Sequence, residues 1–149
     1  MTVAFRRARP ADLTAIVALL RDDALGAGRE SADLQPYASA FADIDGDPRH
    51  LLVVGELDGE VIACLQATVL PSLTHGGRRR AQIEGVRVHG AHRGAGVGRS
   101  LLAWTIDWAG EQGCGVMQLT TDKARPDALR FYESLGFAAT HEGLKRTLG

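Results

Sequence analysis

The chain has 149 residues, room for one domain and one hydrophobic core but not two. It is 45% hydrophobic and 23% charged, and 17 basic residues against 18 acidic ones leave a formal net charge of -1. This composition fits an ordered globular protein and argues against a nucleic-acid partner, which would normally call for a basic excess. The two cysteines, Cys64 and Cys114, stand far apart with no His or Cys at metal spacing, so neither a disulfide framework nor a metal site is expected. No apolar run approaches the ~20 residues of a membrane span, and the start, MTVAFRRARP, lacks the apolar stretch of a secretory signal. The expectation is a cytoplasmic protein with reduced thiols and no membrane partner.

Residues 3–7 alternate weakly and predict a short strand. Pro10 and Asp12 suit a first helical turn, and Leu13, Ile16, Val17 and Leu20 form one apolar helical face. Gly26-Ala27-Gly28 must end that helix, and a second is expected over Asp33 to Ile44. Leu51 to Leu57 and Glu60 to Leu70 read as strands joined by Asp58-Gly59, a two-residue hairpin signal. After a polar loop from Ser72 to Arg79, Ala81 to Val88 predicts a third strand of the same meander. Gly94 to Gly98 then turns the chain into a helix marked by Val97, Leu101, Trp104 and Trp108, with Gly113 and Gly115 as its end. Trp104 and Trp108 are one turn apart and suit packing on a sheet rather than a binding cage. A strand over Val116 to Thr121, a helix around Asp127 to Leu135 and short closing strands complete the order. One α/β domain over residues 1–149 follows, with a mixed sheet of about six or seven strands and about four helices.

The segment His92-Arg93-Gly94-Ala95-Gly96-Val97-Gly98-Arg99 carries most of the chemical information. Glycines at alternate positions let backbone N–H groups approach a ligand closely, and a helix N-terminus favours anions. Arg93 and Arg99 add charge at either end. These are the requirements of a pyrophosphate cradle. The dinucleotide fingerprint needs G-x-G-x-x-G, one residue more than the spacing here, and too little chain follows Gly98 to complete a doubly wound sheet. The P-loop ending is absent as well, because Gly98 leads into Arg99-Ser100.

Arg93-Gly94-Ala95-Gly96-Val97-Gly98 resembles the R/Q-x-x-G-x-G/A signature of the acetyl-CoA-dependent N-acetyltransferase superfamily known as GNAT. Ile83-Glu84-Gly85-Val86-Arg87-Val88 is similar to the strand that precedes that loop. Ala128-Leu129-Arg130-Phe131-Tyr132-Glu133-Ser134-Leu135-Gly136-Phe137 resembles the family's A-x-x-F-Y-x-x-x-G-F segment. The resemblance implies a GNAT-like α/β fold whose strands splay apart at the acyl-CoA site, with Gly85 a reasonable place for the bulge that splays them. It implies acetyl-CoA as cosubstrate, held by the backbone of Arg93, Gly94, Ala95, Gly96, Val97, Gly98 and Arg99. Val86 and Val88 would pair with the pantetheine arm as a strand does.

Tyr132 would lie near the CoA sulfur and protonate the leaving thiolate, and Glu84 is the candidate base for the incoming amine. Glu84 stands one position earlier, relative to the loop, than the acidic residue of many family members. Arg125 stands where the family often has Asn near the CoA arm, and it is expected to reach the cofactor's phosphates by charge. The activity implied is acetyl transfer to a primary amine by direct attack, without an acyl-enzyme on Cys64 or Cys114. A small-molecule amine is the expected acceptor. The alternatives are a protein N-terminus or lysine, or an acyl-CoA sensor that turns nothing over. A homodimer is also implied by the resemblance. The run Arg78-Arg79-Arg80 reads as a solvated loop edge, and His75 and His141 as surface residues.

Overall fold

The structure is a computed structural model that describes residues 2–23 and 25–149; residues 1 and 24 of the expected 1–149 domain lie outside the described residues. Five strands form one sheet in sequential order: β1 (Ala4–Arg7), β2 (His50–Leu57), β3 (Glu60–Leu70), β4 (Arg79–Val88) and β5 (Cys114–Leu119). The pairs from β1 to β4 are antiparallel and β4–β5 is parallel, which makes the sheet mixed as expected. The helices are α1 (Leu13–Arg21), α2 (Gln35–Asp45), a single turn α3 (Thr74–Gly77), α4 (Val97–Glu111) and α5 (Pro126–Ser134). No helix among the described residues is long and apolar enough to cross a membrane.

Strand alternation divides the core in two. On one face Leu51, Val53, Leu65, Ala67 and Ile83 pack with Val97, Leu101 and Leu102 of α4, and Phe131 of α5 joins them. On the other face Val54 and Cys64 pack with Ile16 and Leu19 of α1 and Phe41 of α2. Leu19 widens the apolar stripe of α1 beyond the four residues read from the sequence. Trp104 and Trp108 are partly buried against the first cluster, consistent with a packing role. Asp58 and Gly59 both have positive φ, 51° and 79°, as a tight turn joining two twisted antiparallel strands requires.

The structure departs from the expected elements in three places. The sheet has five strands, one or two fewer than expected, because residues 138–149 form no strand; Leu144 is 92% and Leu148 87% exposed, so no apolar face holds this segment to β5. Gly115 does not end α4 but lies inside β5, where a Cβ would come within 2.6 Å of Arg78 Cγ. Within the polar loop, α3 bends back through His75 and Gly76 at positive φ. Of the arginine run, Arg78 and Arg79 are exposed as expected, while Arg79 and Arg80 open β4; Arg78 crosses Gly115, and Arg79 donates to the Gln112 carbonyl at 3.3 Å.

The start of α1 is pinned by charge. Asp12 is buried and accepts two hydrogen bonds from Arg6, at 2.7 and 3.0 Å, and one from the Arg9 N–H at 2.7 Å. Arg6 also reaches Glu56 at 2.9 Å, so one guanidinium ties β1 to β2 and to the helix entry. The Arg6 hydrogen bonds hold the Asp12 carboxyl below the usual carboxylate range. Asp12→Asn is expected to lower stability at pH 7 by about 2 kcal/mol, in the range for hydrogen bonds to charged groups. Because the folded pKa is depressed, the wild-type advantage is complete above the unfolded value of about 3.9 and vanishes as pH falls through the folded value. Urea denaturation of both proteins across that range measures it.

Candidate active site

The site forms where β4 and β5 part. They pair from Arg79 to Ile83, and beyond that β4 continues only with β3. Gln66 faces Glu84 and Cys64 faces Arg87, so two residue steps on β3 oppose three on β4. The extra residue is a bulge, and Gly85, at φ 62°, takes the left-handed conformation such a bulge favours. A side chain there would also meet Leu20 Cδ2 of α1 at 3.7 Å.

The bulge resets which way the strand faces. Cys64 packs with α1 and α2, and Gln66 lines the cleft between those helices, so Glu84 and Arg87 opposite them share that face. On a regular strand, residues three apart would point to opposite faces. Val86 and Val88 pack their side chains toward α4 and α5, leaving the backbone of residues 84–88 unpaired on the β5 side.

At the end of β4 the glycine-rich turn runs into α4. Gly94 and Gly96 adopt φ of 81° and 82°, and Gly96 caps the helix. The N–H groups of residues 94–99 find no backbone acceptor among the described residues; Ser100 is the first, bonding to the Gly96 carbonyl at 3.1 Å. This is a row of unsatisfied donors at a helix N-terminus, the arrangement that binds phosphate oxygens. Gly98 is set in a tight place: a Cβ there would lie 3.3 Å from Phe131 Cζ, and that ring would have to give by a few tenths of an ångström. Ala95 is exposed, whereas the Val97 side chain is buried in the core.

The arginines of the loop are occupied. Arg93 turns back to donate to the Val88 carbonyl at 3.1 Å and to the Asp22 carbonyl at 3.0 Å, stapling the loop to β4 and to the chain after α1. Arg99 reaches Ser134 Oγ of α5 at 3.2 Å. Arg125 does not point freely toward the loop; its guanidinium is ion-paired with Asp23.

Tyr132 stands on α5, half-buried and edge-on to Phe131 and Phe137 at centroid distances of 5.2 and 5.8 Å. Burial raises its pKa, and the charges of Arg87 and Arg125 pull only partly the other way. The phenol is therefore a neutral hydrogen-bond donor at pH 7, as a proton source must be. Glu84 is exposed; Arg87 turns to Asp23 at 3.4 Å and leaves that carboxylate available. Asp23 was not singled out by sequence, since nothing local distinguishes an acidic residue following a helix.

The thiols are placed against chemistry of their own. Burial pushes the Cys64 thiol up to about 12, and its Sγ lies 3.6 Å from the Gly85 carbonyl. Burial also raises Cys114 on β5. A thiol that stays protonated is a poor nucleophile. No cluster of three or more His, Cys, Asp or Glu suited to a metal occurs among the described residues.

Comparison with known proteins agrees with this geometry. The model of the acetyltransferase (GNAT) family matches residues 13–137. Streptothricin acetyltransferase of Streptomyces lavendulae is 31% identical over 161 residues, covering 92% of this chain and 82% of that protein. Glucosamine 6-phosphate N-acetyltransferase of Trypanosoma brucei brucei is 34% identical over 84 residues, covering 56% of this chain; the match spans 54% of the relative's length. A crystal structure described as a transcriptional regulator from Bacillus halodurans C-125 superposes with a TM-score of 0.95 at 48% identity, covering 99% of this chain and 100% of the other.

Native protein treated with iodoacetamide near pH 8 should be alkylated at Cys114 well before Cys64, which reacts only on unfolding. Peptide mass mapping over time reads this order. Rapid modification of Cys64 would show an accessible thiolate where the structure has a buried thiol.

Proposed function

Because the chain belongs to the acetyltransferase (GNAT) family, we propose that it moves the acetyl group of acetyl-CoA to the primary amine of a small molecule. The observation that supports this reading is the parting of β4 and β5, which leaves the backbone of residues 84–88 unpaired on that side, followed along the chain by the donor row of residues 94–99; Tyr132 on α5 supplies a neutral phenol. In this reading the backbone of Arg93 to Arg99 receives the pyrophosphate, and the free edge of β4 at Val86 and Val88 takes the pantetheine arm as an added strand. Glu84 accepts the proton of the ammonium group, directly or through water, so that the amine attacks the thioester carbonyl. Tyr132 then protonates the sulfur as the C–S bond breaks, and its phenolate takes up the second proton that the nitrogen loses on becoming an amide. Amide and CoA thiol are the products. The raised thiol pKa values support direct transfer over an acyl-enzyme.

A small acceptor is supported by the neutral charge balance and by the trypanosome relative, whose name identifies glucosamine 6-phosphate as its substrate. A homodimer fits the free outer edge of β5 and the exposed Leu144 and Leu148 in the tail that passes Thr120. A second reading, an acyl-CoA-responsive regulator without turnover, is favoured by the description of the Bacillus halodurans relative. Release of free thiol from acetyl-CoA in the presence of amines separates the two.

Acetyl-CoA at 100-fold over its dissociation constant should stabilise the protein by about 2.7 kcal/mol, read as a rise in thermal midpoint, and NAD should not. Gly96→Val should remove that rise, since its φ of 82° suits no branched residue and the donor row would be distorted. A midpoint raised by NAD alone would refute the assignment of the loop.

Tyr132→Phe should lower kcat about 10²-fold with little change in acetyl-CoA affinity. Glu84→Gln should shift the acidic limb of the pH–rate profile to higher pH, with turnover reduced near neutral pH and recovering as pH rises and more free amine is present. Steady-state kinetics from pH 6 to 10 test both; an unchanged kcat for Tyr132→Phe would leave that residue a packing role.

A further inference from the structure

Four charges meet at the chain segment after α1. Asp23 contacts Arg87 at 3.4 Å, Arg29 at 3.9 Å and Arg125 more closely, and it also accepts from the Gly26 N–H at 3.1 Å. Three guanidinium groups thus share one carboxylate, an excess of two positive charges. Arg29 is solvated, its side chain 52% exposed, but the Arg87 side chain is 12% exposed and that of Arg125 25%, which leaves these two guanidinium groups on one carboxylate with one positive charge in excess. Arg87 spends one amino group on the Val86 carbonyl at 2.9 Å, while its Nε is buried with no hydrogen-bond partner. A buried donor left unmade is costly, and so is uncompensated buried charge. Both costs fall if an anion joins the cluster, and the planar guanidinium fork matches carboxylate and phosphate oxygens.

Position ties the cluster to the acceptor rather than to the phosphates of the cosubstrate. The donor row at residues 94–99 is a separate anion site built from backbone. Arg87 shares the α1–α2 face of β4 with Glu84, and their partners on β3 are two residues apart, roughly 7 Å along the sheet. The charges of Arg87 and Arg125 also reach Tyr132. The cluster therefore borders the space between the candidate base and the candidate acid, where an acceptor amine has to stand.

We propose that Arg87 and Arg125 bind an oxyanion group of the acceptor, so that the substrate is an amine that also carries a carboxylate, phosphate or phosphonate. Asp23 holds the two guanidinium groups in place from the end of α1, and the oxyanion takes the donors that Asp23 leaves free. This inference rests on the acetyl-transfer reading and narrows its substrate class.

The test uses the full chain with three small amines, 2-aminoethylphosphonate, β-alanine and propylamine, each followed by thiol release and by calorimetric binding. At least one of the two oxyanion amines should exceed propylamine at least 10-fold in kcat/KM, and which one leads tells phosphonate from carboxylate. Arg87→Gln should reduce that preference at least 10-fold. Arg125→Gln, at the more exposed guanidinium, should do the same if Arg87→Gln fails to fold. Equal use of propylamine, or a ratio unchanged in the variants, overturns the proposal. So does a loss confined to acetyl-CoA binding, which would assign the arginines to the cosubstrate. If no amine releases thiol while acetyl-CoA binds, the transfer reading fails by itself. Calorimetry then decides the cluster: an oxyanion amine bound by wild type and not by Arg87→Gln upholds it, and no binding of either overturns it.

Discussion

The one extra residue that β4 accommodates at Gly85 governs the geometry of the whole site. The pairing with β5 stops just before it, at Ile83, and the backbone edge of β4 beyond is left unpaired on that side. The extra residue rotates the strand, so that Glu84 and Arg87 share one face while Val86 and Val88 remain in the core on the other. A regular strand would have to choose between burying the valines and aligning the two charged residues. Only a residue at ease with φ of 62° lets the strand do both.

Around that opening the charged groups are arranged by burial as much as by pairing. Burial works to raise the Asp23 carboxyl, but hydrogen bonds from Arg125 and the Gly26 amide, with the charges of Arg87 and Arg125, hold it below the usual range. It therefore stays ionised and binds the end of α1 to β4 and to the start of α5, elements remote in sequence. Burial also keeps Tyr132 neutral and the Cys64 thiol protonated. One physical effect, desolvation, thus keeps a proton on the proposed acid and disarms the nearest competing nucleophile.

Local signals made much of this architecture readable in advance. The Asp58-Gly59 turn fixed the β2–β3 hairpin because two successive positive φ values restrict the choice of residues. The span of β3 follows from that turn. The loop from Gly94 to Gly98 was readable because glycine at alternate positions has a backbone meaning independent of context. The closing strands were not readable. Leu144 and Leu148 look like core residues in sequence, yet no sheet face lies beneath them. Gly115 was assigned to the helix end because its true constraint, the passage of Arg78, comes from a distant part of the chain.

By itself the sequence determined the α/β order, the glycine-rich turn that opens α4, the family to which the chain belongs and the identity of Tyr132 and Glu84 as candidates, because each is written in contiguous residues. The tertiary structure alone decided that Arg87 faces the same side as Glu84 and that Arg93 and Arg125 are engaged by the chain after α1. It also decided that Asp23 gathers three arginines. Those facts depend on a register shift between two strands and on contacts such as Asp23 with Arg125, 102 positions apart. Pairing at that range leaves no periodicity in a sequence, because it is set by how whole elements pack and not by any neighbour along the chain.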